Sequence, residues 1–356
     1  MISLDDAAAL ARVDRDGMLG LLESFPLQCR EGWSLGADLA GRAGSQPPSS
    51  LVIAGMGGSA IAGDLVRGLL STELPMAVTV VRDYVMPGWV GPDTTVVCCS
   101  YSGDTEETLS AFGHALRLGS RVVAVTSGGA LSREASSRGL PCLKVPPGLP
   151  PRAALGYSLF GLIAIVDGWG LTRPLGGEAE ESFGALEEGA AWWGAEAPEG
   201  RNEAKKLAKE LCRTLPVICA PEGPLGAVGL RWKTQFNENS KLVAYNCLFP
   251  ELDHNEIVGW ARPFNVGGAV AVFLRSADEP ERLRLRMEIT RDMFEEAGLP
   301  VKEVWGVPAR PMAQMAALTL LGDYVSVYAA LLRGVDPTPV DAIGVMKERL
   351  SKGQKK

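Results

Sequence analysis

Between Leu51 and Val145 short apolar runs alternate with longer amphipathic ones, and this alternation constrains the fold more than any other feature of the chain. Leu51–Ala54, Ala77–Val81, Thr94–Cys99, Arg121–Thr126 and Cys142–Val145 are β-branched and of strand length. Ser59–Leu70, Asp104–Leu118 and Ala130–Arg138 carry helical spacing. Strands that are apolar throughout need cover on both faces, so the pattern predicts a parallel sheet between helical layers, with ligands outside the carboxyl ends of its strands.

After a helix expected from Arg152 to Trp169 and a linker region at "GLTRPLGGEAEE", the pattern restarts. Strand Leu215–Cys219, helix Leu225–Phe236, strands Leu242–Tyr245 and Ala269–Leu274, helix Pro280–Ala297, strand Val301–Trp305 and helix Ala313–Leu332 follow. The fold class expected is α/β, two tandem αβα sandwiches of flavodoxin-like type. The domains expected are an N-terminal helical segment (1–30), a first αβα domain (31–170), a helical linker region (171–205), a second αβα domain (206–335) and a C-terminal helical segment (336–356).

Composition narrows the function. A length of 356 residues suits two domains better than one. A formal charge of −7 with no clustered Lys and Arg argues against a nucleic-acid partner, although one pocket of an acidic protein can still hold a small anion. The seven cysteines lack paired or metal-ligand spacing, which suits a reducing, cytoplasmic compartment. No charged-then-apolar leader opens the sequence. Its apolar passage Ala153–Val166 is too short to span a bilayer and reads as a buried helix, so no membrane partner is expected.

Two strand-end loops carry the binding chemistry. In "IAGMGGSAIAGD", Gly55, Gly57 and Ala60 satisfy GxGxxA spacing between a strand and a helix, with Asp83 as the available acidic ribose partner, so a dinucleotide-dependent oxidoreductase is one reading. In "SYSGDTEET", Ser100, Ser102 and Thr105 surround Gly103 just before a helix. Hydroxyls and free amides at a helix start cradle an anion without formal positive charge. The competing reading is a plain helix cap by Ser102 or Asp104, with Glu106 and Glu107 favouring the positive end of the dipole.

Gly57-Gly58-Ser59 followed by Ser100-Tyr101-Ser102-Gly103-x-Thr105-x-Glu107-Thr108 resembles the sugar isomerase domain, in which such hydroxyls hold a sugar phosphate. Over nearly the whole chain, the order of parts resembles the bifunctional phosphoglucose/phosphomannose isomerases of the phosphoglucose isomerase superfamily. The resemblance implies an aldose–ketose isomerase acting on glucose 6-phosphate and mannose 6-phosphate with fructose 6-phosphate through a cis-enediol. It implies no cofactor and no metal. Gly58, Ser59, Ser100, Ser102 and Thr105 would bind phosphate. Asp104 stands where an Asn is more familiar and is expected to point away from the phosphate or to cap the helix that follows it.

Isomerisation also needs a base between adjacent carbons, a group that opens the sugar ring and a cation for the enediolate. The segment Asn237-Glu238-Asn239-Ser240-Lys241 with His254 resembles the family's base and ring-opening segment, which makes Glu238 the base and His254 the ring-opening acid/base. Glu238 could otherwise be a surface acid at a helix end. His114, mid-helix and without a polar cluster, is read as structural or solvent-facing. Arg152 follows four prolines, and the match to the family's proline–arginine–alanine segment assigns it to the enediolate in place of a snorkelling role. In "GVDPTPVDAIGVMKERL", Lys347 is by resemblance the lysine that assists ring opening, and Thr338 is the candidate hydroxyl for accepting both C2 epimers. The family implies a homodimer whose histidine enters the partner's site. A non-catalytic sugar-phosphate-binding regulator would share the hydroxyl loops without needing Glu238 or His254.

Overall fold

A computed structural model describes residues 2–40, 47–262 and 268–353. Helices α1 (Ala7–Val13), α2 (Met18–Glu23) and α3 (Phe25–Ala40) lead into a five-stranded sheet made of β1 (Ser50–Gly55), β2 (Ala77–Val81), β3 (Thr94–Cys99), β4 (Arg121–Thr126) and β5 (Cys142–Lys144). Its order is β2-β1-β3-β4-β5 and every pairing is parallel. That is the flavodoxin-like order, whose switch point lies between the first and third strands. Helices α4 (Gly57–Leu70), α5 (Glu106–Arg117) and α6 (Gly129–Ser137) make the crossovers, and α7 (Leu155–Asp167) follows a 3-10 turn at Pro151–Ala154.

Helices α8 (Gly176–Trp193) and α9 (Glu203–Leu211) lead to the second unit. It comprises β6 (Leu215–Pro221), α10 (Pro224–Glu238), β7 (Tyr245–Phe249), α11 (Ile257–Trp260), β8 (Ala269–Arg275), α12 (Glu281–Glu296), β9 (Val301–Trp305), α13 (Pro311–Leu332) and α14 (Asp341–Gly353). The second sheet runs β7-β6-β8-β9, again parallel. The fold expected from the alternation is therefore the fold observed.

Alternation along the strands divides the core. In β6, Ile218 and Ala220 face an apolar mass shared by both units, while Val217 and Cys219 face the outer layer with Phe273, Met287 and Phe294. The shared mass includes Val97 of β3, Ile61 and Leu65 of α4, Phe160 of α7, Trp232 of α10 and Tyr324 of α13. Helices of both units thus fill the space between the two sheets, and residues from both units can meet at a site. At Gly322 of α13 a Cβ would come 2.1 Å from the Trp232 indole, so glycine permits this close approach and Trp232 Nε1 donates to the Leu318 carbonyl at 2.8 Å.

Three local expectations change. The strand expected at Leu242–Tyr245 is β7, Tyr245–Phe249, because residues 240–244 turn the chain away from α10: Lys241 takes a φ of 53° and Asn237 Nδ2 holds the Leu242 carbonyl. The second half of the linker stretch belongs to α8, whose Ala179, Phe183 and Leu186 are buried, so Gly176, Gly177 and the acids that follow open a packed helix. The longer apolar passage is α13. It is long and apolar enough to cross a bilayer, yet it is buried from Met312 to Leu332 as the core helix of this fold.

Candidate active site

The loops after β1 and β3 meet at the switch point. Tyr101 N donates to Ser59 Oγ at 3.3 Å, joining the two loops directly. Ser100, 1% exposed, donates its hydroxyl to Thr105 Oγ1 at 2.9 Å and accepts from Gly103 N at 3.1 Å. Gly103, at a φ of 76°, has the Gly128 carbonyl 1.9 Å from where a Cβ would sit, so no other residue closes this turn. Thr105 occupies the N-cap position of α5, but its side chain makes no capping bond. The simple cap reading of Ser102 or Asp104 is thereby replaced. Ser102 Oγ accepts from Asp104 N at 3.3 Å, and the Asp104 carboxylate turns to α6, where it accepts from Ala130 N at 2.9 Å.

Tyr101 also fixes the proline-rich loop. Its hydroxyl donates to the Pro146 carbonyl and accepts from Leu149 N, each at 2.9 Å. The loop ends in the 3-10 turn that presents Arg152, and a Cβ on Gly58 would lie 3.2 Å from the Arg152 Cα. The hydroxyl cradle and Arg152 are neighbours through that backbone contact.

Arg152 is 3% exposed and held on every side. Nε donates to Asn239 Oδ1 at 2.7 Å, and Nη2 donates to the carbonyls of Pro337 at 2.7 Å and Thr338 at 2.9 Å. Nη1 lies 3.6 Å from Glu238 Oε2. Burial pulls its pKa below the ordinary guanidinium value and Glu238 opposes the shift. Beneath it, Arg231 donates from Nη2 to the Arg152 carbonyl at 2.7 Å and grips Asp323 through two bonds of 3.0 and 2.7 Å. This places a guanidinium beside a carboxylate that keeps 27% of its side-chain surface, on a cavity of about 540 Å3. Glu238, Lys241, Val335, Asp336, Pro339 and Asp341 are among its walls. Thr338 Oγ1 is buried nearby without a hydrogen-bond partner.

A match to the family described as the bacterial phospho-glucose isomerase C-terminal SIS domain covers residues 200–350. The bifunctional phosphoglucose/phosphomannose isomerase of Caldicellulosiruptor bescii is 38% identical over 92% of this chain and 97% of that protein. The chain belongs to the bifunctional phosphoglucose/phosphomannose isomerase family. The protein of the same description from Thermoplasma acidophilum is 36% identical over 85% of this chain and 90% of its own length. Among solved structures, a glucose-6-phosphate isomerase like protein from Thermus thermophilus has a TM-score of 0.60 at 24% identity, covering 96% of this chain and 99% of that one. A hypothetical protein from the same organism reaches a TM-score of 0.78 at 16% identity, covering 98% and 94%. These two likenesses bear on the fold.

Membership of the phosphoglucose/phosphomannose isomerase family removes the dinucleotide reading, and packing accounts for its glycines. A Cβ on Gly55 would lie 2.8 Å from the Cys99 carbonyl, and Gly57 takes a φ of 50° at the start of α4. Asp83 is spent on a 2.6 Å bond from Tyr84 N. His114 is structural: its Nδ1 accepts from Met86 N at 3.0 Å.

Two of the expected residues do not join Arg152 and Glu238. His254 is exposed at the end of a 3-10 turn following β7, beyond the carboxyl end of the second sheet. Glu238 ends α10, which runs back toward the amino ends of those strands. The five residues of β7 alone span about 17 Å, so the two side chains of one chain sit at opposite ends of the sheet. Lys347 is exposed on α14, a helix with no buried residue. Asn239, Lys241, Arg231 and Asp323 are functional candidates that the sequence reading did not single out. Their signals were an Arg seven residues before Glu238 on one helix face and a lone acid within the apolar run of α13.

Proposed function

We propose that this protein interconverts glucose 6-phosphate and mannose 6-phosphate with fructose 6-phosphate. The observation that carries the reading is the buried Arg152 guanidinium 3.6 Å from the Glu238 carboxylate, beside the hydroxyl cradle of a family member. Ser59, Ser100, Ser102, Thr105 and the Gly58 amide receive the phosphate at the amino ends of α4 and α5. Glu238 moves the proton between the first two carbons through a cis-enediol. Arg152 stabilises the oxyanion with a charge fixed in place before reaction. The unpartnered Thr338 hydroxyl is available to a sugar hydroxyl, and rotation about C2–C3 lets one base serve both epimers.

His254, with Lys347, opens the ring. The distance between His254 and Glu238 within one chain supports a homodimer in which each site takes its histidine from the partner. The exposed apolar residues of α14, Ile343, Val345, Met346 and Leu350, give such a partner a surface to cover. The described cysteines are all free thiols, which supports a cytoplasmic setting.

Conversion of fructose 6-phosphate by wild type and Glu238→Gln tests the reading. Removing a general base lowers kcat by about 10²- to 10⁴-fold, while binding of the sugar phosphate survives because the cradle is untouched. Wild-type protein that binds but does not turn over would instead be a regulator. Mixing Glu238→Gln with His254→Ala chains tests the shared site: random exchange leaves half the dimers mixed with one intact site each, returning about a quarter of wild-type activity.

A further inference from the structure

The end of α10 carries a lysine whose ammonium is given over to backbone. Lys241 Nζ lies 2.9 Å from the Glu238, Asp336 and Pro337 carbonyl oxygens and 3.3 Å from that of Asn239. Its three protons match the three short contacts. Glu238 and Asn239 belong to the helix end, where the last carbonyls lack intrahelical partners. Asp336 and Pro337 belong to the strap that leads from α13 to α14. The Pro337 carbonyl also accepts from Arg152 Nη2, as does that of Thr338. One cation from each αβα unit therefore grips the consecutive carbonyls of 336–338.

Lys241 reaches this position only by taking a φ of 53°, the left-handed region normally left to Gly after a helix end. That conformation costs a side-chain-bearing residue about 1–2 kcal/mol. Apart from Lys241 and Arg152, the strap is held by the buried Pro337 and by two local bonds, Val335 N to the Ala330 carbonyl and Thr338 N to Asp336 Oδ1, each at 3.0 Å. Pro337 and Pro339 have no N–H, and α14 beyond it buries nothing.

We propose that Lys241 is a positioning residue that clamps the 335–340 strap to the end of α10, holding Glu238, Asp336 and Pro339 as walls of one cavity. The kinetic consequence rests on the isomerase reading above, whereas the clamp itself does not. Titration supplies a distinguishing mark. Burial and then the Arg152 charge pull Lys241 down to about 8, against Asp336, Asp341 and Glu238. Its folded pKa lies below the ordinary 10.5, so from about 8 to 10.5 the unfolded chain binds more protons and this group's contribution to stability rises with pH. Over the same range the clamp loses a proton and a donor. Activity falls there while this group's contribution to stability rises, whereas a merely structural lysine would show the rise in stability without the fall in activity.

The test uses full-length wild type, Lys241→Met and Lys241→Arg. Lys241→Met lowers kcat for fructose 6-phosphate about tenfold, the worth of one to two hydrogen bonds, with KM changed less than about threefold. Its melting temperature at pH 7 is unchanged or higher, and it lacks the fall in kcat that wild type shows above about pH 8. Amide exchange at Val335 and Thr338, whose N–H groups donate to Ala330 and Asp336, quickens by about tenfold. Lys241→Arg recovers most of the kcat. The proposal is overturned by unchanged exchange at the strap, by a Lys241→Met kcat within about twofold of wild type, or by a kcat that falls only in step with melting temperature. A wild type inactive on fructose 6-phosphate would remove the isomerase reading, and the exchange rates alone would then uphold or overturn the clamp.

Discussion

The two sheets offer the same crevice twice, and the chain furnishes the two in opposite ways. In each unit a loop follows the first strand and another follows its parallel neighbour, at the switch point where open α/β sheets bind ligands. After β3 the chain presents Ser100, Ser102 and Thr105, with the only nearby loop acid, Asp104, turned away to α6. After β8 it presents Ser276, Asp278 and Glu279. There the Glu279 carboxylate, 7% exposed, accepts from Ser276 N at 2.7 Å and pairs with Arg275 at 2.8 Å. The second crevice carries its own anion. The arginines that precede α7 and α13 differ likewise: Arg152 is buried beside Glu238, whereas Arg310 is exposed and turned to Glu178 and Glu181. Topology supplies a place for a ligand, and the residues at the strand ends decide whether it stays open.

The largest test of that contrast moves an acid into the first crevice. Aspartate is a good N-cap, so Thr105→Asp keeps α5 and the fold intact. With the phosphate on this helix start as proposed, it also meets the phosphate with a like charge, which costs several kcal/mol. Binding of fructose 6-phosphate, measured by calorimetry, weakens by about a hundredfold or more, with the melting temperature held within a few degrees. Retained affinity would show that the phosphate does not lie on this helix start.

Most of the architecture can be read from the chain because the central strands β1, β3, β4, β6 and β8 are largely apolar runs buried on both faces. Leu242–Tyr245 misleads because an apolar run of four fits a strand or a turn equally, and the end of α10 decides between them. The hydroxyl loops are legible for a related reason: their glycines and hydroxyls are contiguous. The surroundings of Arg152 are not, since Asn239, Arg231, Asp323 and Pro337 meet it from 79 to 185 residues away. The packing of α7, α10 and α13 between the sheets brings them together. Asp323 is the clearest case. An acid within an apolar helix must find a partner, but periodicity does not say that Arg231 is the partner or that Arg231 in turn holds the Arg152 carbonyl.

An intermediate effect belongs to the second crevice. Glu279→Gln removes one carboxylate from Arg275, leaving Glu303 as its remaining acidic partner. Breaking a buried pair costs about 3–5 kcal/mol when the other charge is stranded, and the retained Glu303 lowers this to about 2. Denaturant unfolding reads that loss. KM and kcat for fructose 6-phosphate change less than about twofold if the second crevice takes no part in binding. A marked rise in KM without loss of stability would mean that both crevices serve the substrate.

The smallest expected effect is at Asp104, where the two crevices come closest to resembling each other. Its carboxylate lies within the hydroxyl loop's sequence but accepts from Ala130 N at the start of α6. Asp104→Asn keeps an acceptor for that amide and removes one negative charge from an exposed position. Loss of a charge at a helix start costs about 0.3–1 kcal/mol, a shift of a degree or two for a chain of this size. With the carboxylate already pointing away, phosphate affinity rises by no more than about twofold, and salt removes the difference by screening. An increase of tenfold or more would show that Asp104 swings back toward the cradle in solution. In that case the first crevice would carry its own acid just as the second does, and the contrast between them would be one of degree.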